Sequence, residues 1–449
     1  MGARDTIAAV ATAAGRGGIG IVRVSGPQTA AIAQALLGTL PRPRHAAYCP
    51  FLDGNAEAID SGIALYFPAP RSFTGEDVLE LQGHGGPVVL DLLLSRVLAL
   101  GARLAHPGEF SQRAFLEGRI DLAQAEAIAD LIDSATSAQA RLATRTLQGA
   151  LSQRVDALLN ALTRLRAFVE ATLDFPDEEI DGIQDSSVRD DLTNLIRDTG
   201  ALLAEAHRGE RVRDGLLIVI AGAPNAGKSS LLNALSGKDV AIVTPIPGTT
   251  RDLLRADIEL DGLPLRMIDT AGLRLSTDPI EQEGIRRAQE QIGQADRVLW
   301  MIDDAMDPTA STVDRCRVPA GVALTLVRNK IDLTNRPVAL TALDDGITEV
   351  ACSIQTGAGL ALLRDHLKAG AGYRGPVGNA FSARRRHLNA LEQTASHLTA
   401  AKDVFDATSS TELMAEDLRQ AQKSLSEITG TFTADDLLGK IFGEFCIGK

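Results

Sequence analysis

Nowhere in the 449 residues do about 18 apolar residues run together, so no membrane-spanning helix is expected. Cysteine is scarce: Cys49, Cys316, Cys352 and Cys446 stand far apart, with no C-x-x-C pair among them. Neither a zinc site nor a disulfide framework is indicated, and reduced thiols in a cytoplasmic protein are the simplest account. Basic residues are in the minority as well. A net charge of −13 argues against nucleic-acid binding through a general basic surface and leaves only local patches for such a partner. The N-terminus lacks a basic stretch followed by an apolar one, so secretion is not expected. Met1 to Thr6 matches the loose myristoylation pattern, but no polybasic second signal follows; we read it as coincidence and expect no stable membrane association. Internal repeats and low-complexity tracts are absent.

What is present is average globular composition, 45% apolar and 23% charged, in a chain long enough for about three domains. Residues 1–118 read as mixed α/β. Thr6–Thr12, Ile19–Val24, Ile63–Phe67 and Val78–Leu81 are short strand-like runs, and Pro87–Leu100 is an amphipathic helix. Gly15-Arg-Gly-Gly-Ile-Gly20 satisfies the letter of a dinucleotide fingerprint, but strand alternation follows where a helix must open, so that reading is rejected. Gly83-His-Gly-Gly86 reads as a tight turn before the helix. Residues 119–213 change to a 3.6-residue period: Leu122, Ala125, Ile128, Ala129 and Ile132, then Leu158, Leu162, Leu165, Phe168 and Val169, fall on helical faces. The acidic run Asp174–Asp181 contains Pro176 and reads as a solvated helix start rather than a metal site. Residues 214–371 alternate strands and helices as a doubly wound sheet does, with candidate strands at 216–221, 254–260, 264–268, 297–302, 322–328 and 348–352. Gly370–Gly378 reads as a linker, and residues 380–445 return to long amphipathic helices before a short tail. Arg384-Arg-Arg-His387 opens one of them and is either a solvated helix start or a local patch able to meet a nucleic-acid backbone.

The strongest chemistry lies in Gly222-Ala-Pro-Asn225-Ala226-Gly227-Lys228-Ser229-Ser230, directly after the apolar run Leu216–Ala221. A buried strand ending in a glycine turn and handing over to a helix wraps backbone N–H groups around an anion. Lys228 then reaches the β- and γ-phosphates of a nucleotide, and Ser229 is placed to hold Mg²⁺. Strand 264–268 ends in Asp269-Thr270-Ala271-Gly272, which can sense the γ-phosphate. Strand 322–328 ends in Asn329-Lys330-Ile-Asp332, where one carboxylate accepts two hydrogen bonds from the guanine edge, a pair adenine does not offer. Ser353 and a neighbouring backbone N–H can close over the base. In order along the chain, each at a strand end, these motifs indicate GTP. Thr244-Pro245-Ile246-Pro247-Gly248-Thr249-Thr250 suits a switch loop in which Thr250 meets Mg²⁺. Leu273 stands where many GTPases carry a water-orienting Gln, so that group comes from elsewhere or is absent; Glu281 and Glu283 are both in range.

These motifs, with Gly15–Gly20, Ser72–Gly86, Pro107–Ser111, Asp121–Ile128 and the terminal Phe445-Cys-Ile-Gly-Lys449, resemble the MnmE (TrmE) family of tRNA-modification GTPases over nearly the whole chain. The resemblance implies an α/β multidomain protein: an N-terminal α+β folate-binding-like domain (1–118), a helical domain in two parts (119–213 and 372–449), and between them an inserted P-loop GTPase domain (214–371). It further implies K⁺-dependent GTP hydrolysis across a homodimer, with Asn225, Thr244, Ile246 and Thr249 at the K⁺ positions and Glu281 as catalytic glutamate. Arg23, Glu80, Arg119 and Lys449 match folate-contacting positions for a 5,10-methylene- or 5-formyl-tetrahydrofolate; Arg119 departs from the usual Lys and Ile354 from a usual Ala. Cys446 matches the family's C-terminal cysteine, a candidate for catalysis. The implied reaction places an aminomethyl or carboxymethylaminomethyl group on C5 of the wobble uridine of tRNA, together with the flavoprotein MnmG in a heterotetramer. The alternative reading is a regulatory GTPase switch, for example in ribosome assembly.

Overall fold

The computed structural model describes residues 5–174, 185–236, 254–269, 292–293, 295–315, 318–319, 321–371, 380–408, 411–430, 435–443, 445 and 448. In chain order the elements are β1 (Ile7–Val10), β2 (Gly17–Ser25), α1 (Thr29–Leu37), β3 (Ala47–Leu52), β4 (Ala58–Phe67), β5 (Val78–Gly85), α2 (Pro87–Ala99), β6 (Arg103–Leu104), α3 (Glu109–Leu116), α4 (Leu122–Ile132), α5 (Ser137–Leu147), α6 (Ala150–Asp174) and α7 (Asp185–Asp214). There follow β7 (Leu216–Gly222), α8 (Lys228–Ser236), β8 (Leu254–Leu260), β9 (Leu263–Asp269), β10 (Arg297–Asp303), β11 (Ala323–Asn329), α9 (Ile331–Thr334), β12 (Ala339–Ala342), β13 (Thr348–Ala351), α10 (Leu360–Gly370), α11 (Arg385–Thr408), α12 (Thr411–Thr429) and α13 (Asp435–Gly443). Among these, no helix is long and apolar enough to cross a membrane. The chain forms two compact units, one of residues 1–129, 147–195 and 396–449, the other of residues 130–146 and 196–395.

In the first unit a six-stranded sheet runs β3-β4-β5-β2-β1-β6. Strand alternation sends Val22, Val24, Leu79 and Leu81 to one face, where they pack with Ile32 and Leu36 of α1 and Leu90, Leu93 and Val97 of α2. Helix α2 starts at Pro87, whose fixed φ and missing N–H suit a first helical position, and its buried residues recur at three- and four-residue steps. The opposite face of the sheet carries Arg23 and Glu80, direct partners across β2 and β5. Strand β2 begins at Gly17, so no helix opens behind the Gly15–Gly20 run. The turn expected at Gly83–Gly86 is instead the end of β5, with only Gly86 outside the strand. The reason is crowding: a Cβ at Gly83 would strike the Asp60 carboxylate, and one at Gly85 the backbone of Gly17 and Ile19. Helix α12 buries Met414, Leu418, Ala421, Leu425 and Ile428 at alternating steps of four and three. In α6, Leu158, Leu162, Leu165 and Val169 form the buried stripe as expected, whereas Phe168 lies beside it, 36% exposed.

In the second unit a seven-stranded sheet runs β12-β13-β11-β10-β7-β9-β8, its five inner strands parallel and its two edges antiparallel. Both faces are buried, as parallel sheets require. Ile218 and Ile220 of β7 point into one core with Leu231, Leu235, Leu363 and Leu367, while Val219 and Ala221 point into the other with Trp300 and Leu326. Sequence order reverses across β7, whose neighbours are β10 on one side and β9 on the other. The crevice at the carboxyl ends of such strands is where ligands of open α/β sheets bind.

Among the described strands, β3, β12 and the two-residue β6 correspond to no strand expected from the sequence. The acidic run after Asp174 and the linker after Ala371 lie outside the described residues.

Candidate functional site

Strand β7 carries the chain to the carboxyl edge of the sheet, and residues 222–227 turn it into α8. Gly222 (φ 133°) and Gly227 (φ 102°) both lie in the left-handed region that favours glycine. Neither has room for a side chain: a Cβ on Gly222 would meet the Met301 carbonyl, and one on Gly227 the Asn329 side-chain amide. Asn225 also holds a positive φ, 61°, between them. Lys228 begins α8, is 9% exposed, and its Nζ donates to the carbonyls of Gly222 and Ala223 at 3.0 and 2.9 Å. The ammonium is thus held over the loop, at a helix start where the backbone dipole also favours an anion.

A cavity of about 880 Å³ opens on this loop. Its lining brings together the predicted residues Asn225, Gly227, Lys228, Ser229, Ser230, Asn329, Lys330, Asp332 and Ser353. That volume lies toward the upper end of typical small-molecule sites and suits a nucleotide, and a glycine loop that excludes Cβ atoms suits its phosphates. The Ser229 and Ser230 side chains stand in the first turn of α8, where a hydroxyl can serve a hard cation. Ala226 is fully buried and faces away, contributing its carbonyl. Asn233, Ala234 and Gln355 also line the space and were not singled out in the sequence. Asn233 lies four residues beyond Ser229, one helical turn along the same face, which is a legible signal.

Asn329 has a role that the motif alone does not disclose. It is 4% exposed, its Nδ2 donates to Ala226 O at 2.9 Å, and its Oδ1 accepts the Ile354 N–H at 3.1 Å. It therefore braces the phosphate loop against the 352–359 loop. The Ile354 N–H, expected to close over the base, is engaged by this amide. Ser353 is buried and takes the Thr356 N–H at 3.3 Å. Asp332 is exposed in the first turn of α9, facing the cavity. Asp269 ends β9 opposite Ile220 of β7. Thr244–Thr250, Thr270–Gly272 and Glu281 lie outside the described residues.

In the first unit Arg23 and Glu80 form an ion pair at 2.9 Å, their side chains 24% and 17% exposed. The Arg23 guanidinium also lies 5.7 Å from the ring centroids of both Phe73 and Phe110. Beside it, Arg113 is 5% exposed and bonded to Glu76, Glu109 and Asp5. Burial works against the charged form of Glu109, but hydrogen bonds from Arg103, the His106 N–H and Arg113 outweigh it and bring its pKa from 4.5 to about 2. Arg119 is exposed, with its N–H on Ala114 O at 2.8 Å. The tail is not frayed at its described positions: Phe445 is buried beside Phe442, and Gly448 packs against the Val10 carbonyl, leaving no room for a Cβ. Cys446 and Lys449, on either side of Gly448, lie outside the described residues.

The basic patch at 384–387 is largely internal. Arg384 donates to the Asp130 carboxylate at 2.7 Å, the Ser382 hydroxyl donates to that same carboxylate at 2.7 Å, and His387 is 1% exposed. Arg385 is the exposed member at the start of α11. His84 is exposed, its Nδ1 2.8 Å from the Asp60 carboxylate.

A parallel sheet whose central strand feeds a glycine loop and a lysine-started helix, with an Asn-Lys-x-Asp segment at a neighbouring strand end, defines a P-loop nucleotide-binding protein. Residues 6–119 match the family described as GTP-binding protein TrmE N-terminus, and residues 122–446 match the MnmE helical domain. The chain is 55% identical over 455 aligned positions to the tRNA modification GTPase MnmE of Yersinia pseudotuberculosis serotype IB (strain PB1/+), covering 100% of both chains. It is equally similar, 55% over 100% of both, to the protein of that name from Yersinia pestis bv. Antiqua (strain Angola). Among solved structures, the G domain of the T. maritima FeoB iron transporter matches 35% of this chain and 98% of its own, at 25% identity and a TM-score of 0.28. The chain belongs to the MnmE family of tRNA modification GTPases.

Proposed function

We propose that this chain binds and hydrolyses GTP in its second unit and takes part in modifying C5 of the wobble uridine of tRNA. The observation that carries the reading is one cavity holding the 222–230 loop together with Asn329, Lys330, Asp332 and Ser353. In this reading Lys228 holds the β- and γ-phosphates, and the carboxylate of Asp332 takes the N1–H and N2–H₂ of guanine. Ser229, with Thr250, would hold Mg²⁺, which when bound neutralises charge on the phosphate oxygens. Asp269–Gly272 and Thr244–Thr250 report the γ-phosphate, and Glu281 orients the attacking water. Asn225 stands exposed at the rim of the loop; with Thr244, Ile246 and Thr249 we assign it to a K⁺ ion shared when two copies pair as a homodimer.

We further assign a tetrahydrofolate site, for the 5,10-methylene or 5-formyl form, to Arg23, Glu80, Arg119 and Lys449 of the first unit. Two placements support it. Arg23 and Glu80 are a half-buried pair on the sheet face opposite α1 and α2, and Gly448, one residue before Lys449, packs on Val10 beside the β1 position that pairs with Arg23. Cys446 is assigned a catalytic role in the same tail. The remaining parts of the proposal are the flavoprotein MnmG as partner in a heterotetramer, tRNA as substrate, a cytoplasmic location, and four domains at 1–118, 119–213, 214–371 and 372–449.

The test is an exchange of base specificity. An amide at position 332 accepts N1–H and donates to a C2 carbonyl, which xanthine has and guanine lacks. Asp332→Asn is expected to lose about 100-fold in GTP affinity and to gain xanthosine triphosphate by a similar factor. Unchanged preference for GTP contradicts the assignment.

A further inference from the structure

Two lysines line the cavity, and their ammonium groups are held in different ways. Lys228 rests on carbonyls of the phosphate loop, whereas Lys330 has its Nζ 2.5 Å from Asp303 Oδ2. Asp303 is the last residue of β10 and lies directly opposite Asn329 of β11, the residue before Lys330. Its position is fixed three times over. Its Oδ1 accepts the Ala305 N–H at 3.1 Å, its carbonyl accepts the N–H groups of Met306 and Asp307 at 3.2 and 2.8 Å, and its side chain is 12% exposed. Lys330 in turn has φ 65°, a left-handed backbone that fixes where its stem leaves the chain.

We propose that Asp303 is a positioning residue for the nucleotide base, acting through Lys330. With its backbone locked at one end and its ammonium anchored at the other, the four-carbon stem of Lys330 stands as a preformed apolar wall of the cavity. Asp332, two residues on, supplies the edge that selects the base; the stem supplies a surface for its flat face. Long lysine side chains lose much rotamer freedom when ordered, and Asp303 imposes that order during folding rather than at binding. The anchor also neutralises the ammonium, so the wall carries no net charge toward the base. This inference rests on reading the cavity as a guanine-nucleotide site and adds to it a residue that contacts no nucleotide.

The experiment measures GTP and GDP dissociation constants, and kcat and KM for GTP, in the full chain carrying Asp303→Asn, Lys330→Met or both. Asp303→Asn is expected to weaken both nucleotides about tenfold and to raise KM by a similar factor with kcat within twofold, since preorganisation for binding is lost and the chemistry is untouched. Lys330→Met keeps an apolar stem without an anchor and is expected to lose about as much. The double variant should lose no more than either single one, because the two act as a unit. Discrimination between GTP and inosine triphosphate should not change, as Asp332 remains. Asp303→Ser, whose hydroxyl keeps an acceptor for the Ala305 N–H, reports the same tenfold loss independently of how the Asn variant folds. Full affinity in the Asp303 variants, or an additive loss in the double variant, overturns the proposal. Should the unaltered chain prefer another base, the guanine-site reading fails before any variant is compared.

Discussion

Asn329 joins Ala226 through a 2.9 Å hydrogen bond, tying the strand end that precedes the base-reading carboxylate to the loop that cradles phosphate. The two halves of the site are therefore one mechanical unit. Because Asn329 touches backbone on both sides and is buried, Asn329→Ala leaves the Ala226 carbonyl and the Ile354 N–H without it. Unpaired buried groups cost about 1–3 kcal/mol each. We expect affinity for GTP, GDP and xanthosine triphosphate alike to fall by at least about tenfold, with base discrimination retained; titration with each nucleotide checks this, and a loss confined to guanine nucleotides contradicts the bracing role.

Arg23 and Glu80 share one face of the N-terminal sheet, apart from the helix-covered core. Arg23→Ala and Glu80→Gln are expected to abolish the wobble-uridine modification while leaving GTP hydrolysis within about twofold. Both quantities are measurable on the same variants, by nucleoside analysis and phosphate release. Persistence of the modification in both variants removes the folate assignment.

Glu109 makes the first unit acid-sensitive in a defined window. Its folded pKa of about 2 lies below its ordinary 4.5. The stabilisation is thus fully present above about pH 4.5 and is lost as pH falls toward 2. Hydrogen-exchange protection of β1 and α3 should decline through that range, and Glu109→Gln, less protected at pH 7, should show a flatter decline. Parallel curves for the two proteins contradict this.

Cys352 is fully buried, and burial pushes its thiol up to about 12; Cys49 is half-buried and raised less far. At pH 8 the Cys352 thiolate is nearly absent and shielded. Alkylation followed by peptide mass spectrometry should label Cys49 at least about 100-fold faster than Cys352 in the folded chain, with the difference collapsing in denaturant.

Strand ends were the most legible part of the molecule. The runs at 216–221, 264–268 and 297–302 became strands within one residue at each end, because inner strands of a sheet covered on both faces are mostly apolar, and the run at 254–260 became the edge strand β8, marked by its alternation of apolar and polar residues. The edge strands β3 and β12 were not legible: β3 contains Pro50 and has half-buried and exposed positions with one buried residue, Phe51, and β12 is four residues long with three of them exposed. Helix α1 carries no charged residue, so polar and apolar faces are poorly marked. In the site, the residue types of the phosphate loop and of Asn329–Asp332 were readable from spacing. Contacts between them were not, since the Asn329–Ala226 and Lys330–Asp303 bonds join positions 103 and 27 residues apart. The glycines at 83 and 85 misled for a similar reason: their cause is cross-strand crowding, which spacing does not record.

The most direct measurement is mass spectrometry of tRNA nucleosides from cells lacking this protein and from the same cells given either the unaltered chain or Lys228→Ala. We predict that C5-modified wobble uridine disappears in the deletion, returns with the unaltered chain, and stays absent with Lys228→Ala although that protein is folded and present. Modified uridine at normal levels in the deletion, with ribosome assembly impaired instead, would contradict a role in tRNA modification and favour a regulatory switch.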